Sequence, residues 1–93
     1  MKEVIAELIE ILGKPTDRRR VEDGNLAIRW KETRDRRGFR VLFFTDSQGT
    51  QWCLYDIIEG KGSVGASCRP NEVCLVAQKM AMGVSGLVIV IQH

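Results

Sequence analysis

The chain has one histidine, and it is the terminal residue, His93. Without an interior imidazole there is no Ser-His or Cys-His pair to activate a nucleophile, and zinc sets built on histidine fail for the same reason. Cysteine is also scarce. Cys53, Cys68 and Cys74 are odd in number, and no two have the spacing of a C-x-x-C metal or redox motif. That composition argues against a secreted disulfide framework and predicts reduced thiols filling the core of a cytoplasmic protein. No apolar run approaches the roughly 20 residues that span a bilayer, and the run at residues 87–91 is only strand-sized, so no membrane association is expected. Glu3, Glu7 and Glu10 interrupt the N-terminal apolar residues, which breaks the stretch a secretory signal needs.

What is present is an ordinary globular mixture, 44% hydrophobic and 28% charged, in 93 residues. A chain of this length builds one core and therefore one domain, residues 1–93. The net charge of +2 hides an asymmetry. Residues 14–40 hold Lys14, Arg18, Arg19, Arg20, Arg29, Lys31, Arg34, Arg36, Arg37 and Arg40 against only Asp17, Glu22, Asp23, Glu32 and Asp35. Positive charge is thus concentrated in one contiguous third of the chain, and most of it is arginine, whose planar fork suits bidentate contacts to phosphate.

Periodicity supplies the elements. Val4, Ile5, Leu8, Ile9 and Leu12 recur at helical spacing, so residues 2–12 read as an amphipathic helix stopped by Gly13 and Pro15. Residues 14–25 have no apolar period and read as a polar connection. Three strands are expected next, over residues 25–32, 38–45 and 51–58, joined by turns at 33–38 and at Asp46-Ser47-Gln48-Gly49. In the third, Trp52, Leu54 and Ile58 fall on one face and Cys53, Tyr55 and Ile57 on the other. Trp52 and Phe43 are expected in the core, with Tyr55 and Phe44 as the aromatics left for exposure. Residues 60–67 are glycine-rich and read as a loop. Pro70 opens a second helix to about Met82, with Val73, Val76, Ala77 and Met80 facing inward. Residues 84–91, apolar on both faces, read as a final central strand. The expected fold is α+β, in the order α-β-β-β-α-β, with two helices on one face of a mainly antiparallel sheet.

Three groups of residues bear on function. Arg34, Arg36 and Arg37 lie at the tip of the first hairpin, and Arg29, Lys31 and Arg40 lie on the polar parity of its strands, so cross-strand pairing lets them share a surface. Arg18, Arg19 and Arg20 precede them. A patch of this kind gains affinity for nucleic acid by releasing counterions. The second group, Gly60-Lys61-Gly62-Ser63-Val64-Gly65, has the letters of a phosphate-cradling G-x-G-x-x-G. Its helix begins late, at Pro70, and no ribose-binding carboxylate follows at about 20 residues, so a turn is expected and no cofactor. Lys61 could still meet one backbone phosphate. The third group is Asp56, Glu59 and Lys61 at the end of the third strand.

The Glu59-x-Lys61 pair after an α-β-β-β order resembles the restriction-endonuclease-like nuclease core. That resemblance implies two carboxylates on Mg²⁺ and an assisting lysine, although Asp46 here ends its strand in a turn instead of beginning it. The α-β-β-β-α order also resembles a double-stranded-RNA-binding domain, with residues 34–37 in the position of that module's basic loop. The expected function is a non-catalytic nucleic-acid-binding module using Arg18, Arg19, Arg20, Arg29, Lys31, Arg34, Arg36, Arg37, Arg40 and Lys61. The alternatives are a protein-interaction domain, through homo-oligomerisation or an acidic protein partner, and a minimal metal-dependent nuclease.

Overall fold

The computed structural model describes residues 1–83, and the strand expected at 84–91 lies outside the described residues. Two helices and five strands follow in the order α1 (Lys2–Leu12), β1 (Asp17–Arg20), β2 (Leu26–Trp30), β3 (Gly38–Thr45), β4 (Gln51–Glu59), β5 (Gly62–Cys68) and α2 (Pro70–Ala81). The sheet is antiparallel throughout, and its spatial order is the chain order, a simple meander. The class is α+β, as the periodicity implies.

Both helices cover one face. Ile5, Leu8 and Leu12 from α1 and Val73, Val76, Ala77 and Met80 from α2 meet Leu26, Ile28, Trp30, Val41, Phe43, Cys53, Tyr55 and Ile57 in one continuous core. Glu72 caps the start of α2 by accepting the Arg69 amide at 2.9 Å, and Pro70 occupies a first-turn position where no amide donor is required. Trp30 joins the layers: it is wholly buried, and its indole N–H donates to the Gly13 carbonyl just beyond α1, at 2.8 Å. No helix among the described residues is long and apolar enough to cross a membrane.

Three details depart from the expectation. The polar connection contains β1, whose Asp17–Arg20 pairs along β2 from Arg29 to Leu26. At the edge of the sheet formed by the described residues, a strand with both faces largely wet has no apolar alternation to betray it, and its charged side chains discourage edge-to-edge pairing. The glycine-rich segment holds a second missed strand, β5, joined to β4 by the two-residue turn Gly60-Lys61. Glycine and serine have low strand propensity, so backbone pairing with β4 creates this strand in spite of its composition.

The third departure is the orientation of β4, where Cys53, Tyr55 and Ile57 are buried while Leu54 lies on the opposite face, 47% exposed. The pair closing the β3–β4 hairpin is Thr45 with Gln51, so its turn has one residue more than a four-residue turn would. Asp46 builds that longer turn. Its carboxylate accepts the amides of Gln48 and Thr50, each at 2.9 Å, and the Trp52 indole N–H at 2.8 Å. These bonds, led by that from Trp52, hold the Asp46 carboxyl below the usual range. Because side chains alternate strictly along a strand, a one-residue change in turn length moves the whole of β4 to the other face.

Candidate nucleic-acid interface

Among the described residues nothing packs on the face of the sheet away from the helices. Its side chains are placed by register. One row crosses all five strands as Asp17, Arg29, Arg40, Asp56 and Gly65, and the next runs Arg19, Ala27, Leu42, Leu54 and Ser67. Ala27, Leu42 and Leu54 form the apolar floor of a groove of about 440 Å³, and Arg19, Arg29, Arg40, Asp17 and Asp56 stand at its sides. Arg29 lies directly opposite Arg40, the sharing of one surface that hairpin pairing implies.

The carboxylates temper this charge. Arg19 Nε donates to Asp17 at 2.7 Å, and Arg40 Nε donates to Asp56, also at 2.7 Å. Both pairs are largely exposed, so each contributes little to stability and serves mainly to orient its guanidinium. Arg29 forms no ion pair among the described residues. At the far end of this face, the Arg69 guanidinium lies 4.7 Å above the Trp52 ring, a cation–π contact that occupies one side of the indole.

The other cations divide between two places. Lys31, on the same parity as Arg29, leads into the loop of residues 31–37, which carries Arg34 and Arg37. The Glu32 carboxylate accepts the Gly60 amide at 3.0 and 3.2 Å, which draws the β4–β5 turn and its Lys61 to the same end of the sheet. Glu32, Arg34, Asp35, Arg37 and Glu59 surround a polar hollow of about 270 Å³ there. Arg18 and Arg20 are separate from both groups: they alternate to the helix side of β1, opposite Ile28 and Leu26, and Arg20 donates to the Gly24 carbonyl at 2.9 Å.

Arg36 does structural work. Its guanidinium donates to the Leu12 carbonyl at the C-terminal end of α1, where a cation complements the unpaired carbonyls and the helix dipole. Its Nε is buried without a hydrogen-bond partner. Arg36→Ala is expected to lower stability in urea unfolding by about 1–2 kcal/mol, since a charge-assisted bond is lost. Arg34→Ala, at an exposed loop position, should change it by less than about 0.5 kcal/mol.

Neither the glycine motif nor the carboxylates build a site of their own. Gly62 and Gly65 are ladder positions, so the backbone around them is engaged with β4 rather than curled about a phosphate. Asp56 lies on the open face with Arg40, whereas Glu59 has the opposite parity and flanks the polar hollow. The two carboxylates therefore diverge, and no group of three or more His, Cys, Asp or Glu side chains converges on a metal position among the described residues. The strands β1 and β5 also depart from the α-β-β-β-α pattern of a double-stranded-RNA-binding domain.

No family model, no curated protein and no solved structure matches the chain. The sequence reading missed the groove, because Leu54 is a floor residue only when β4 has its observed register. The signal available was the Asp46-x-x-x-Thr50 spacing, which allows a five-residue turn as readily as a four-residue one.

Proposed function

We propose that this chain is a small, non-catalytic nucleic-acid-binding module that receives a phosphate backbone on its uncovered sheet face, with the 31–37 loop at the rim. The reading rests on one observation above all. Arg19, Arg29 and Arg40, drawn from three strands, stand on a single surface that no helix among the described residues covers. Lys31, Arg34, Arg37 and Lys61 extend the positive charge around one end, and the unpaired Arg29 lies at its centre. Arg18 and Arg20 contribute only through the long-range field, because they project from the other side of β1.

The magnitude of the charge sets the expectation. Asp17 and Asp56 offset two of the three arginines on the face, so binding is modest and steeply salt-dependent. If about four phosphates are neutralised, log affinity for duplex falls with log salt at a slope of about −3 to −4. Fluorescence anisotropy with labelled single- and double-stranded RNA and DNA, at about 50 and 150 mM salt, measures this slope. Arg29→Ala combined with Arg34→Ala is expected to weaken binding at least about tenfold and flatten the slope by one to two units. Absence of binding to all four probes at the lower salt refutes the reading.

A second reading is favoured by the groove floor. Leu42 and half-exposed Leu54 ringed by alternating arginine and aspartate form an apolar centre with a charged rim, as protein interfaces do. A dimer in light scattering that Leu54→Glu abolishes would favour this protein-docking role over nucleic acid.

A further inference from the structure

Cys53 and Cys68 are opposed residues of the β4–β5 ladder, and both are completely buried on the helix-covered side. Opposed residues of an antiparallel pair have Cα atoms about 4.5–5.5 Å apart, inside the window of about 4.4–6.8 Å that a disulfide requires. As opposed residues their side chains share one face of the sheet, and both thiols are free. Cys74, on α2, is also buried, but its thiol is turned to the Val4 carbonyl, 3.7 Å away. Among the described residues β5 is the outermost strand, and Cys68 is its last residue, so loosening of that strand end would admit a small oxidant.

From this juxtaposition we propose that Cys53 and Cys68 are an oxidative modification site, converted by a hydroperoxide into a cross-strand disulfide. The Cys68 thiolate attacks the peroxide oxygen, breaks the O–O bond and becomes a sulfenic acid, while the departing hydroxide takes up a proton to leave as water (for an organic hydroperoxide, as the alcohol). The Cys53 thiol then loses its proton and attacks the Cys68 sulfur, displacing the sulfenic oxygen as a second water. Two thiols are thus oxidised by two electrons, and one peroxide is reduced. Cys68 takes the first role because it ends β5, and its interaction with the Cys53 thiol lowers its pKa, whereas that interaction together with burial raises that of Cys53. The product staples β5 to β4 beside the Leu54–Ser67 pair of the candidate interface.

The test uses the folded chain, treated with hydrogen peroxide without denaturant, blocked with N-ethylmaleimide and analysed by peptide mass mapping. The expected product is lighter by two hydrogen atoms, links Cys53 to Cys68, and reverts with dithiothreitol. It forms equally in Cys74→Ala and is missing from Cys68→Ala. The oxidised form should melt about 10 °C higher than the reduced form, because the link constrains the unfolded chain. A bond to Cys74, sulfinic acid at Cys53 or Cys68 without any link, or thiols that all remain alkylatable in denaturant would each overturn the proposal. Because mass mapping reads the wild-type chain, the result stands whether or not either substituted form folds, and it is independent of nucleic-acid binding.

Discussion

Gly65→Ala is expected to destabilise the protein by about 2–3 kcal/mol, read as a lower urea midpoint with an unchanged slope. A methyl carbon at this position would lie 2.3 Å from the Tyr55 carbonyl oxygen and 2.2 Å from Asp56 Oδ1. The Asp56 side chain could rotate away. The Tyr55 oxygen belongs to the backbone of β4 and cannot move unless the β4–β5 ladder opens. The opposing effect is small: alanine restricts the unfolded chain and would stabilise by about 0.4–1 kcal/mol at an unstrained site. Overpacking against main chain exceeds it. If Asp56 does rotate, its bond to Arg40 is lost too, so Gly65→Ala should also change nucleic-acid affinity in whatever fraction remains folded. An unchanged urea midpoint would mean that the strands separate without cost, which a continuous ladder does not allow.

Trp30→Ala is expected to remove about 3–5 kcal/mol, the usual cost of deleting a large buried aromatic side chain. Against a total of about 5–15 kcal/mol for a domain of this kind, that loss leaves the fold marginal, and the melting temperature should fall by more than about 12 °C. Two effects combine in the figure. Trp30 is 0% exposed and packs against Phe39, with ring centroids 6.1 Å apart, so truncation opens a cavity between sheet and helices. Its indole also supplies the donor for Gly13 O, the link between the end of α1 and β2. Trp30→Phe separates them, since it keeps most of the volume and loses only the donor, and should cost about 1–2 kcal/mol beyond the smaller ring. Equal losses for the two substitutions would show that the hydrogen bond, and not the volume, dominates.

Both positions show how unevenly the fold could be read from the chain. Trp30 alternates with Ile28 and Leu26 in a plain strand pattern, and its burial follows from parity. Gly65 sits in a glycine-rich run that composition assigns to a loop, because nothing local distinguishes a glycine needed for close strand approach from one needed for a turn. The two helices were legible to within a residue, since both carry helical spacing and a stop signal in glycine. The strands β1 and β5 were hidden because each is made by a neighbour's backbone: a strand that buries little side chain leaves little periodicity to detect.

The candidate interface divides in the same way. That Arg29 and Arg40 share a face follows from alternation on two paired strands. That Arg36 is spent on the end of α1, that Arg18 and Arg20 turn to the other side, and that Asp17 and Asp56 pair with neighbouring arginines depend on contacts between residues far apart in the chain or on register across strands.

The sequence by itself determined the α+β class, both helices, the inward faces of β2 and β3, and the concentration of arginine in one third of the chain. These are periodic or compositional properties, and periodicity survives without knowledge of partners. The tertiary structure alone decided which face β4 presents, which cations converge, and that Cys53 meets Cys68. Each of these turns on register, and register is set by turn length and by backbone pairing between strands, neither of which a side-chain pattern encodes.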